Sequence, residues 1–138
     1  MLGRSGPGAR VEWIAPAWGG LLPGLVLIAT IPQPFEIRLA LFALAAVAGG
    51  FLAGVRAPMR RPLHGALAAL FAMALYAAFV LLTRLAHRVG ASADPVAFSP
   101  SSPSQLALLA LAGLAAGILG GWIAAGRLTS AGASRLGG

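Results

Sequence analysis

Ten arginines, three carboxylates, two histidines and one tyrosine make up the chain's supply of groups able to hold charge or move a proton. The carboxylates are Glu12, Glu36 and Asp94, the imidazoles are His64 and His87, and the phenol is Tyr76. The two histidines lie 23 positions apart, and an unbroken helix would separate them by about 35 Å. They do not share a metal within one chain. His64 follows Arg60, Arg61 and Pro62 and reads as a polar residue at a helix start, with a proton- or pigment-related role as the alternative. Arg84, His87 and Arg88 stand at i, i+3 and i+4, on one helical face. That face suits a lipid phosphate or an anionic substrate, or plain snorkelling at the end of a membrane span. Asp94 and Glu36 are the available counter-charges.

Hydrolytic chemistry finds no support, because every serine lies in a tail or in the Ser- and Pro-rich stretch near position 100, and none forms a nucleophile elbow. The chain has no Cys, Lys or Asn, which removes disulfides, thiolate metal sites and N-glycosylation. No catalytic, cofactor-binding or metal-binding residue is expected. An Arg-only, Ala- and Gly-rich usage fits GC-rich coding and a prokaryotic source. The net charge of +7 does not read as nucleic-acid binding, since the arginines are scattered between apolar blocks without aromatic platforms. Anionic lipid headgroups are the expected partners.

What must position these few groups is a membrane. The chain is 59% hydrophobic and 9% charged, with a mean hydropathy of +0.88, whereas globular domains carry roughly a quarter charged residues. Four apolar blocks of 19 to 21 residues run over 13–31, 35–55, 63–83 and 105–125, each enough to cross a hydrocarbon layer of about 30 Å. A cleaved signal peptide competes for the first block, but its length, Pro16 and Pro23, and the lack of an A-x-A site favour a span. Glu36 and Arg38 fall in the first turn of the second block, at headgroup level. Pro32 and Pro34 make 31–35 a tight, extended connection. The fold expected is an all-α membrane protein of four transmembrane helices arranged as two antiparallel hairpins. Residues 1–10 and 128–138 read as cytoplasmic tails flanking the transmembrane domain, and 90–104 as an irregular outer loop.

Arginine placement sets the orientation. Arg4, Arg10, Arg56, Arg60, Arg61, Arg127 and Arg135 fall on one side, and Arg38, Arg84 and Arg88 on the other, which places both termini in the cytoplasm. Trp13, Trp18 and Trp122 fall at that same inner interface.

Glycine supplies the strongest pattern. Residues 49–56, GGFLAGVR, match residues 120–127, GGWIAAGR, and Gly19-Gly20 and Gly65 mark weaker echoes. Between lipid-facing helices the hydrophobic drive is absent, so small residues that let backbones approach become the packing signal. The residues expected to pack helices are Gly19, Gly20, Gly49, Gly50, Gly54, Gly65, Gly113, Gly117, Gly120 and Gly121. Gly113, Gly117 and Gly121 form a small-xxx-small face that serves the bundle or a homo-oligomer equally well. The repeat suggests two hairpins related by an axis along the membrane normal.

The stretch 49–82, GGFLAGVRAPMRRPLHGALAALFAMALYAAFVLL, resembles small four-helix membrane proteins of bacteria and archaea known only as families without an assigned function. The matching residues are Gly49, Gly50, Ala53, Gly54, His64 and Gly65, with Gly120 and Gly121 as the late glycine pair. The resemblance covers roughly 80 residues on motifs of mostly small residues; it implies a four-helix fold and no activity. Small multidrug transporters, also four-helix proteins of similar size, use a carboxylate within the membrane, but Glu12 sits at the interface beside Trp13. Fluoride channels, another class of this length, have polar pore residues that are missing here. The function expected is a structural, assembly or regulatory membrane component of the prokaryotic plasma membrane, alone or within a larger complex, with a small oligomeric transporter or channel as the alternative.

Overall fold

A computed structural model describes residues 13–57, 60–90 and 102–133. These form four helices: α1 (Ile14–Ala29), α2 (Phe35–Arg56), α3 (Arg61–Arg88) and α4 (Pro103–Ala133). Glu12, Asp94, residues 1–10 and most of the expected outer loop lie outside the described residues. Three helices, α2, α3 and α4, are long and apolar enough to cross a membrane. α1 is apolar but has 16 residues, about 24 Å of helix.

Helix ends follow local chemistry. α1 stops at Thr30, whose hydroxyl donates to the carbonyls of Val26 and Leu27. The segment that follows is a turn, with the Gln33 amide donating to the Thr30 carbonyl, where an extended connection is expected; Pro34 is extended. α3 runs past the expected end at residue 83, because no Gly or Pro intervenes before Gly90. Gly90 takes a positive φ of 77°, the left-handed step that closes a helix at little cost for a residue without Cβ. α4 continues as helix to Ala133, into the segment expected to be a tail.

Packing runs α1 on α2 and α3, α4 on α2 and α3, and α2 on α3, while α1 and α4 do not meet. A rotation exchanging α1 with α3 and α2 with α4 would turn the α2 and α3 contact into a contact of α4 with α1. That contact does not exist among the described residues, so the sequence repeat is not expressed as the expected axis between hairpins.

The two halves of the bundle are held differently. In one half, backbones touch: a side chain on Gly49 would strike the Gly19 carbonyl, and one on Gly19 the Gly49 carbonyl. Gly65 and Gly117 face each other's carbonyls in the same reciprocal way, Gly50 also meets the Gly117 carbonyl, and Gly120 meets that of Val47. Each glycine hydrogen so placed points at a carbonyl oxygen, a Cα–H···O contact worth about 0.5–1 kcal/mol. Pro23 contributes from within α1. Lacking an N–H, it leaves the Gly19 carbonyl without its helical donor, and that is the oxygen Gly49 approaches. In the other half Leu27, Ile31, Phe42, Ala72, Tyr76 and Leu109 form a side-chain core.

The glycine contacts predict a sharp difference between positions. Gly50→Ala forces a methyl against the Gly117 backbone and is expected to cost about 1–3 kcal/mol. A Cβ at Gly126 meets nothing within 4 Å, so Gly126→Ala should be neutral or stabilising by about 1 kcal/mol. Thermal unfolding in micelles checks both, and equal effects at the two positions would contradict this packing.

Candidate functional site

Two polar groups near helix ends, Arg38 and His64, are buried within the bundle. α2 carries a stripe of Arg38, Phe42, Ala45, Ala46, Gly49 and Ala53, all buried, at the spacing of three and four that defines one helical face. Arg38 therefore enters the bundle with that stripe, only 7% exposed. Its Nη2 donates to the Ile31 carbonyl at 3.2 Å and the Gln33 carbonyl at 3.4 Å. The guanidinium thus closes the end of α1 from the start of α2, and its five donors suit several carbonyls better than one. Glu36, two residues earlier and on the opposite side of the helix, stays exposed.

His64 lies on the α3 stripe His64, Ala68, Ala72, Tyr76, again all buried. Its ring is 4% exposed, and Nδ1 sits 3.3 Å from the Arg60 carbonyl. A carbonyl only accepts, so Nδ1 carries the proton in that contact. Nε2 is buried with no hydrogen-bond partner. The helix start it occupies is unusual as well. Arg60 adopts a left-handed φ of 53°, a conformation costing a non-glycine residue about 1–2 kcal/mol, and turns its carbonyl to accept from the Leu63 and His64 amides.

Arg84, His87 and Arg88 are all exposed on the last turns of α3. The described carboxylate, Glu36, forms no ion pair with them that shortens the distance to salt-bridge range, and Asp94, the other expected counter-charge, lies outside the described residues. The three residues share a face with one another and do not join His64 or Arg38, which lie elsewhere in the bundle. No group of three His, Cys, Asp or Glu able to hold a metal ion occurs among the described residues.

The packing glycines sit where the helices meet. Gly19 and Gly20 face α2 and α3, Gly49 faces α1, and Gly54 faces Gly121 and Ala124 of α4. Gly113 meets the Phe42 ring, Gly117 meets Gly65, Gly120 meets Val47 and Phe51, and Gly121 meets Arg61 and Pro62. The Gly113, Gly117 and Gly121 face is thus filled within one chain. A cavity of about 530 Å³ opens between α1 and α3 and is lined by apolar and small residues, including Trp18, Leu21, Phe71 and Leu75.

No family model, curated protein or solved structure matches the chain. The resemblance to small four-helix membrane families accordingly rests on its residues alone.

Sequence spacing could have revealed both buried groups. Arg38 and His64 each lie four positions before another buried residue of the same helical face, Phe42 and Ala68. Arg38→Met is expected to cost about 1–3 kcal/mol by orphaning the Ile31 carbonyl. Arg38→Lys, with a single compact ammonium, should recover only part of it. Thermal unfolding in micelles reads both. Carbethoxylation should label His87 readily in folded protein and His64 only after unfolding; equal labelling would contradict the burial of His64.

Proposed function

We propose that this chain is a four-span membrane protein, built as two antiparallel hairpins with both termini in the cytoplasm, that serves a prokaryotic plasma membrane as a structural, assembly or regulatory component without chemistry of its own. One observation carries the reading: alanines make up much of the buried interior while many large apolar side chains face outward. Ala46, Ala53, Ala68, Ala69, Ala72 and Ala124 are buried, while Leu44, Leu81, Leu82, Leu111, Ile14 and Trp122 are exposed. Water would oppose such an arrangement, because exposed apolar patches of this extent drive association. Lipid tails accept it, since leucine gains nothing there by being buried.

Contact registers support the hairpins. Gly20 meets Ala68 and Gly24 meets Leu75, so α1 and α3 advance together, whereas Gly65 meets Gly117 and Gly113 lies near Ala69, so α3 and α4 advance oppositely. α1 reaches bilayer length only with Trp13 and the turn at Thr30 and Ile31, and local thinning of the bilayer accommodates the remainder. The orientation rests on arginine placement, with Arg38, Arg84 and Arg88 on the outer side and the other seven on the inner side.

Transport, the alternative function, needs polar groups lining a path at the midplane. The buried side chains near the middle of the four spans, Pro23, Ala46, Ala72 and Ala116, are all apolar, which favours the scaffold reading. Single-cysteine variants Ser102→Cys and Ser130→Cys test the topology, since the chain has no cysteine of its own. Only Ser102→Cys should react with an impermeant maleimide added outside intact cells. Labelling of both from outside would overturn the orientation. Proteoliposomes should show no protein-dependent proton or cation flux above empty vesicles, and a flux abolished by a bundle variant such as Gly50→Ala would replace the scaffold with a transporter.

A further inference from the structure

α3 outruns the helices around it. Its 28 residues make about 42 Å of helix, against a hydrocarbon layer of about 30 Å. Gly24 of α1 faces Leu75, and α1 ends five residues later at Ala29, so α1 support is exhausted near residue 80. Gly113 of α4 lies near Ala69, and α4 begins ten residues earlier at Pro103, so α4 support fails at a similar level. Beyond it Leu81, Leu82, Arg84, Leu85, His87, Arg88 and Val89 are all exposed.

This overhang is two-faced. At about 100° per residue, Leu81, Leu82, Leu85 and Val89 fall within one arc of about 100°, and Arg84, His87 and Arg88 within another of similar width beside it. The apolar arc is also continuous with the cavity between α1 and α3, because Phe71, Leu75 and Ala78, which line that cavity, project on the same side of α3. Its volume of about 530 Å³ lies in the range of pockets that hold small ligands.

We propose that α3, with the groove it shares with α1, is a binding site for one anionic phospholipid: the phosphate lies against Arg84 and Arg88 with His87 flanking them, and an acyl chain descends past Leu82 and Ala78 into the groove. The inference rests on the membrane reading given above. Dimensions agree, because half the hydrocarbon layer is about 15 Å, or about ten helical residues, which carries a chain from the level of Arg84 to that of Leu75. Charge selects the lipid. Two guanidiniums and an imidazole are displayed together without a carboxylate in salt-bridge range among the described residues, and guanidinium holds phosphate through paired N–H donors. A second copy of the chain fits this face poorly, since a two-fold contact would set its own Arg84 and Arg88 against these.

Lipids spin-labelled at carbon 14 of the acyl chain, in phosphatidylcholine bilayers containing the full chain, test the site. Electron paramagnetic resonance should show a motionally restricted component for labelled phosphatidylcholine, and one favouring labelled phosphatidylglycerol by about fivefold. Arg84→Gln with Arg88→Gln should remove the preference and leave the phosphatidylcholine component unchanged. Ala78→Trp, which fills the groove, should reduce the phosphatidylglycerol component with both arginines in place. Equal restriction of the two lipids by the wild-type chain, or a preference that survives the double variant, would overturn the site. A restricted component missing for both lipids would instead overturn the membrane reading beneath it.

Discussion

Glycine hydrogens facing carbonyl oxygens across helix boundaries are the contact on which this bundle depends. Gly117 is its centre: Gly50 from α2 and Gly65 from α3 both approach its carbonyl, and its own Cα turns toward the Gly65 carbonyl. Gly19 plays the corresponding part for α1, meeting Gly49 and Ala53 of α2 and Ala68 of α3. Between them these two positions touch all four helices. Each contact is weak, at about 0.5–1 kcal/mol, and what gives the set its weight is the dispersion gained when whole backbones lie together. A single methyl at one of these positions has no soft side chain to displace, because the obstacle is main chain.

The opposite half obeys another rule. Where Leu27, Phe42, Tyr76 and Leu109 meet, side-chain volume fills the space between helices and tolerates exchange among apolar residues of similar size. Arg38 belongs to this half. By bonding the Ile31 and Gln33 carbonyls it satisfies groups that a helix end leaves open, and it ties the start of α2 to the turn after α1. The bundle is therefore clamped by backbone contact at one end and by a guanidinium cap with bulky side chains at the other. α3, shared by both halves and longer than its neighbours, is left to carry the exposed cationic turns.

Much of this was legible in the residues. Four apolar blocks separated by Pro, Gly and Arg gave four helices, and the paired glycines marked where they approach. Two boundaries differ for local reasons: α3 has no breaker before Gly90, and the Ile31 and Gln33 amides fold back on the Ile28 and Thr30 carbonyls after α1. The burial of Arg38 and His64 depends on which helical face each occupies, and position along a span does not reveal it. Both lie in register with alanines and glycines, a signal present in the spacing. The repeat of GGFLAGVR and GGWIAAGR misled in a different way, since its likeness reflects two helices that each need a double glycine to contact two neighbours. Gly49 serves α1 and Gly50 serves α4, whereas Gly120 serves α2 and Gly121 serves α3. Similar sequence here answers a similar packing demand without imposing a symmetry axis.

Glycine contacts and an apolar core fill the interior, while leucines such as Leu81 and Leu82 lie exposed on the outside with Arg84 and Arg88. Solid-state NMR of the chain in lipid bilayers, with glycine labelled at both carbons, addresses the central contact directly. Through-space correlations should link Gly50 to Gly117, Gly65 to Gly117 and Gly19 to Gly49. Helical shifts for all four segments with those correlations absent would contradict the account, because the helices would then be present without the backbone contacts said to hold them together.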